Sequence, residues 1–184
     1  GVQSPINVCL TDFRDLEGYT YNPRGCEHFA FVFNRQQLTF ADLNAGLEES
    51  LLYLSSVRLT APVDGENLKI NKALGNLKKY DYDISNGSIK INKDIFLKKL
   101  LQNSGVSLKE LNRISNRVET LSELFNLDNS IDHVHGKDLI KLLSIYFNCD
   151  PQEMQRHLWG ALNYCIEDIR QLPAITKTLS FLTP

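Results

Sequence analysis

The stretch TFADLNAGLEESLLYLSSVRLT, residues 39–60, decides how this chain is read. Thr39 followed three residues later by Asp42 resembles a capping box, in which a hydroxyl and a carboxylate satisfy amides that a helix start leaves open. Leu43, Leu47, Leu51, Leu54 and Val57 then recur at helical spacing on one face. A long helix is predicted here, stopped by Pro62 and the VDGEN stretch that follows.

Downstream, Tyr80, Tyr82 and Ile84 lie on one side of Asn86-Gly87, with Ile89 and Ile91 on the other. Alternation around Asn-Gly predicts a β-hairpin within Lys79–Ile91. Helical spacing returns with Ile95, Phe96, Leu100 and Leu101, up to a break at Ser104-Gly105. Ser107 and Glu110 form a second capping box, ahead of an apolar stripe of Leu108, Leu111, Ile114, Val118, Leu121 and Leu124. Further helices are expected from about Lys137 through Tyr146 and from Asp150-Pro151 onward, the second carrying Met154, Leu158, Ala161 and Leu162. The carboxyl end is expected to be helical, broken or restarted by Pro173. Upstream, Ile6–Leu10 reads as a short buried strand ended by Thr11-Asp12, with a helix following. The fold class is therefore α+β and α-rich, without internal repeats.

Composition narrows the classes. With 184 residues, 20 Lys and Arg against 22 Asp and Glu, the chain can bury one core or two small lobes, and it is not a wholly basic binder. Hydrophobic residues at 42% argue against disorder. No run approaches the roughly 18 apolar residues that span a bilayer, and no signal peptide is visible at the amino end. Cys9, Cys26, Cys149 and Cys165 show no zinc spacing and read as thiols, which implies a reducing, cytoplasmic setting. The chain lacks an initiator Met and enters an apolar segment almost at once, so it reads as a piece of a longer protein, with Gly1 a remnant of tag removal.

Charge is uneven. Residues 69–113 hold ten basic and four acidic side chains, net +6. Such a stretch attracts phosphate backbones, and Lys78, Lys79, Lys90, Lys93, Lys98 and Lys99 are the candidates. A solvated Lys-rich surface guarding strand edges accounts for the same residues.

Two short segments carry chemistry. Asp12, Asp15 and Glu17 lie within six residues past the opening strand. Oxygen ligands so gathered suit Mg²⁺, which can activate water in phosphodiester cleavage; capping of a following helix uses acids in the same way. In HVHGKDL, residues 133–139, alternating His133 and His135 would need extended backbone and a third ligand to hold a metal. Lys137 can meet a phosphate at the helix start. Alternatively Gly136 permits the turn, Asp138 satisfies the first helical turn and His135 packs locally. Glu27-His28 has no nucleophile beside it, and no GxSxG, HExxH or GxGxxG is present. Trp159 reads as core, and Arg58 faces either a partner or a carboxylate.

In order, INVCLTDFRDLEGY (6–19), LLYLSSVRL (51–59), NLKINKALGNLKKYDYDI (67–84) and HVHGKDLIKLLSIYF (133–147) resemble the carboxyl-terminal part of a bacterial domain-of-unknown-function family with a Toprim-like nuclease fold. This is the AriB-like family of the PARIS anti-phage system, related to the overcoming-lysogenization-defect nucleases. The resemblance covers roughly residues 6–147. It implies a Mg²⁺-dependent nuclease of anti-phage defence, acting on DNA or RNA with an ABC-type ATPase partner. It places Asp12 and Glu17 as catalytic, with Asp15 beside them as metal ligands, and gives His135, Lys137 and Asp138 a supporting role. Residues 1–38 would be the distal part of a Toprim-like lobe, and residues 39–184 a mainly helical region with the hairpin inserted. Toprim chemistry also uses an upstream glutamate and a DxD-like pair. Neither precedes Asp12 here, so this piece is expected to be inactive alone, its helical region serving as substrate or partner surface. The alternative is a non-catalytic α-helical module that docks a protein or nucleic acid.

Overall fold

The computed structural model describes residues 16–63, 67–85, 87–103, 105–124 and 134–170. A 3-10 turn (Leu16–Thr20) leads into α1 (Pro23–Val32) and α2 (Phe40–Val63), followed by α3 (Asn67–Gly75). A second 3-10 turn (Lys79–Asp81) enters the strands β1 (Tyr82–Ser85) and β2 (Ser88–Ile91). Helices α4 (Lys93–Asn103), α5 (Leu108–Leu124), α6 (Gly136–Phe147) and α7 (Pro151–Arg170) complete the chain. The α-rich α+β class is what the structure shows. The expected strand Ile6–Leu10, with Asp12, Asp15 and His133, lies outside the described residues, as do residues 171–184.

Both capping boxes form. The Asp42 amide donates to Thr39 Oγ1 at 3.1 Å while Asp42 Oδ2 accepts from the Thr39 amide at 3.1 Å. Glu110 does the same for Ser107, at 2.7 Å. Helix α1 has another start: Asn22 Oδ1 accepts from the Gly25 amide at 2.9 Å, with Pro23 in the first turn. A Cβ on Gly25 would stand 1.8 Å from the Thr20 carbonyl oxygen, so only glycine fits there.

Helix α2 is the hub, in contact with α1, α3, α5, α6 and β2. Leu43, Leu47, Leu51, Leu54 and Val57 are all buried, as the spacing predicts. Burial is not confined to that face. Ser50, Tyr53, Ser55, Ser56, Arg58 and Thr60 are buried as well, because α5 and β2 cover other sides of the helix. Ser55 and Thr60 return their hydroxyls to carbonyls four residues back, at 2.8 and 3.0 Å.

The hairpin is shorter than expected. Strands pair antiparallel with Tyr82 opposite Ile91 and Ser85 opposite Ser88. Residues 79–81 turn instead, because Asp81 Oδ2 accepts from the Lys78 amide at 2.5 Å and closes the loop. Tyr82, Ile89 and Ile91 face the core, but Tyr80 and Ile84 are exposed. In a hairpin closed at Ser85 and Ser88, alternate residues point their amide groups away from the partner strand. Ile89 and Ile91 are those residues, and Ser50 serves both: its hydroxyl donates to the Ile89 carbonyl at 2.8 Å and accepts from the Ile91 amide at 3.0 Å. Gly46, one turn earlier on α2, lets the hairpin tip approach; a Cβ there would be 2.6 Å from the Gly87 carbonyl oxygen and from Tyr146.

Two further expectations need correction. Leu108 opens the α5 stripe in sequence yet is exposed, since packing begins only with Leu111 and Ile114. Trp159, read as core, is 55% exposed: the buried side of α7 is the Met154, Leu158, Ala161 and Cys165 face that meets α1 and α6. The aromatic part of the core lies at that end, with Phe33 stacked on Phe147 at 4.6 Å and Phe29 beside it. Cys26, Cys149 and Cys165 are in no disulfide with one another, and the Cys165 thiol donates to Asn22 Oδ1 at 3.5 Å.

Candidate functional site

The α6 start, which holds the GKDL segment, is built by capping. His135 is the N-cap: its Nδ1 accepts from the Lys137 amide at 3.2 Å, and its carbonyl accepts from the Asp138 and Leu139 amides. Lys137 is exposed. Asp138 does not satisfy the first turn as expected; its carboxylate enters the core. There Arg58 of α2 meets it, Nε and Nη2 both 2.7 Å from Asp138 Oδ2. Arg58 Nη1 also donates to Asn71 Oδ1 of α3. One guanidinium thus joins three helices, which settles the open question of what Arg58 faces.

A second acid is spent in the same manner. Asp81, 2% exposed, accepts from Lys99 Nζ at 2.6 Å besides the Lys78 amide. Lys99 Nζ also donates to the Asn76 carbonyl and lies 5.8 Å from the Tyr80 ring. Buried between these pairs is Tyr82, whose hydroxyl is pushed far above its usual range by burial and then by the Asp138 and Asp81 charges.

Lys141, one turn along α6 from Asp138, was not singled out by the sequence. Its Nζ donates to the Leu74 and Leu77 carbonyls at 3.1 and 3.2 Å, placing a cation at the α3 carboxyl end, where the helix dipole favours it. Burial lowers its pKa, and the charges of Lys78, Arg58 and Lys99 act in the same direction, against Asp138. The signal was a lone lysine inside an apolar run, Leu139 to Leu143.

The six candidate lysines do not share one surface. Lys90 pairs with Glu49 at 2.6 Å, and Lys93 lies 5.4 Å from the Tyr53 ring centroid. Lys98 is exposed on α4. Lys78 and Lys79 are brought together with Lys141 in an open groove of about 360 Å³ between the α3 end and the α6–α7 corner. Lys79 Nζ donates to Asn148 Oδ1 at 2.6 Å. Asn148 holds the left-handed C-cap of α6, at φ 54°.

Of the acidic cluster, only Glu17 is described. It sits on the first 3-10 turn, half-buried, beside a shallow recess shared with Thr20, Gln155, Leu158, Trp159 and Leu162. Its carbonyl accepts from Thr20 Oγ1 at 2.8 Å. Among the described residues, no three His, Cys, Asp or Glu gather as a metal would require. Of the three acids expected to hold Mg²⁺, Glu17 is the one that falls among the described residues.

His28 is the remaining polar oddity. Its ring packs 4.8 Å from Tyr164, and among the described residues neither nitrogen meets a hydrogen-bond partner. Burial, then the charge of His157, holds its pKa below the ordinary imidazole value.

No protein-family model, curated protein or solved structure matches the chain. Among the described residues, no helix is long and apolar enough to cross a membrane.

Proposed function

We propose that this chain is the carboxyl-terminal portion of a Mg²⁺-dependent, Toprim-like nuclease of bacterial anti-phage defence, and that its helical part supplies nucleic-acid-facing surface to the parent enzyme. The supporting observation is how charge is spent. Asp81 and Asp138 turn inward onto Lys99 and Arg58, whereas no carboxylate among the described residues pairs with Lys78, Lys79 or Lys98. The chain as a whole is net -2, but residues 69–113 are net +6, and within that stretch these three lysines keep their charge unmatched by a described carboxylate.

In this reading Asp12, Asp15 and Glu17 would hold the ion, and Mg²⁺ would supply Lewis-acid activation of water for phosphodiester cleavage. The full-length protein, with its ABC-type ATPase partner present, is the test. Alanine at Asp12 and Glu17 is expected to abolish Mg²⁺-dependent cleavage of DNA or RNA while circular dichroism stays unchanged; cleavage that persists overturns the assignment. The second reading is a non-catalytic helical module. The structural use of His135 and Asp138 favours it, and nucleic-acid binding without cleavage by the full-length wild type would establish it.

A further inference from the structure

We infer that the groove where Lys78, Lys79 and Lys141 converge is a binding site for the phosphate backbone of single-stranded nucleic acid, with Tyr80 as the platform for a base. This rests on the nucleic-acid reading above and gives it an address.

The groove is lined from one side by Leu77, Lys78 and Lys79 and from the other by Lys141 and Ile145. Its cations differ in kind. Lys141 is fixed: two of its three N–H bonds go to the Leu74 and Leu77 carbonyls, and the third is left for a ligand. Lys78 and Lys79 are exposed, and the one contact from Lys79 is to a neutral amide. Among the described lining residues the one acid is Asp150, whose Oδ1 accepts from the Gln152 amide at 2.7 Å. A bound phosphate would add to the attraction that Asp138 already exerts on Lys141 and offset the opposing charges of Lys78, Arg58 and Lys99.

Charge alone would suit any polyanion. Tyr80, which does not itself line the groove, decides for single strands: it follows the lining residue Lys79 in sequence, is 78% exposed, and Lys99 Nζ lies 5.8 Å from its ring. Exposed aromatic rings interleaved with lysines stack unpaired bases while the cations follow the backbone.

The test is fluorescence anisotropy of the full chain with a labelled thymidine oligonucleotide over a salt series. The double variant Lys78→Ala/Lys79→Ala is expected to bind about tenfold more weakly and to lose about 1.4 from the salt slope, roughly 0.7 per phosphate contact on a single strand. Tyr80→Ala should weaken binding about tenfold with the slope unchanged. Lys109→Ala, on exposed α5 surface, should change neither. Circular dichroism checks folding; should the double variant unfold, Lys78→Ala alone carries the test at smaller amplitude. Wild-type binding that the lysine variants leave intact overturns the groove and leaves the broader surface reading standing. No binding by wild type overturns both. Binding to phosphatidylserine vesicles but not to the oligonucleotide overturns the inference in favour of a lipid surface. Lysine-dependent binding combined with a failed cleavage test upholds the groove and removes only the nuclease.

Discussion

Arg58 and Asp138, eighty positions apart, meet in the core with two guanidinium nitrogens on one carboxylate oxygen at 2.7 Å. Both side chains are less than a tenth exposed. The pair draws α2 and α6 together, and Asn71 adds α3. One residue of a motif that reads as site chemistry in sequence, Asp138, thus also serves as a joint between helices.

Removing one partner should cost far more than removing both. Asp138→Ala is expected to lose about 3–5 kcal/mol, since it strands a buried guanidinium, whereas Arg58→Met with Asp138→Leu should recover much of that. Urea unfolding of the single and double variants measures the coupling. Additive losses would show that the pair does not act as a unit.

Gly46 and Gly75 make a paired test of close packing. Helix propensity favours alanine over glycine by up to about 1 kcal/mol. At Gly75, where a Cβ meets nothing within 4 Å, Gly75→Ala should be neutral or stabilising. At Gly46 the Cβ would strike the Gly87 backbone and Tyr146, so Gly46→Ala should lose about 1–3 kcal/mol. Thermal unfolding separates them; equal melting temperatures would contradict the hairpin's seat on α2.

His28 should make the fold sensitive to mild acid. Its folded pKa lies below the unfolded value of about 6.5. Above that pH both states are neutral and its contribution is complete. As pH falls below it, the unfolded chain takes a proton that the folded chain resists, and stability declines until the folded pKa is passed. Urea midpoints from pH 7 down to 5 should fall less steeply for His28→Gln than for wild type. Parallel slopes would remove His28 from the account.

Cys26 should be inert in the native protein. Burial, then the Glu27 and Asp42 charges, pushes its thiol up to about 11, so little thiolate exists at pH 8. Iodoacetamide followed by peptide mass spectrometry should find Cys26 labelled only after urea is added. Early native labelling would mean that α1 opens readily.

The local signals were plain in the sequence: two capping boxes, an Asn-Gly turn and the leucine spacing of α2 each became the element they predicted. Tertiary partners were not. Nothing local tells that Arg58 reaches Asp138, that Lys141 caps α3, or that Ser50 serves β2, because each link spans dozens of residues. Leu108 and Trp159 failed for the opposite reason. Spacing identifies a stripe but not how far the neighbouring element extends along it. For the acidic cluster, Glu17 alone falls within the described residues, so the motif that carries the nuclease reading is legible mainly as sequence.

The single hydroxyl of Ser50 has an effect beyond its two hydrogen bonds. An open strand margin invites a foreign strand to extend the sheet, which is how fibrils and swapped dimers begin. By occupying Ile89 and Ile91 from the side of a helix, Ser50 stands in for a third strand that cannot propagate. The β2 margin of the ribbon is thereby kept from becoming a template for self-association, and one buried serine does there what a row of edge charges does elsewhere.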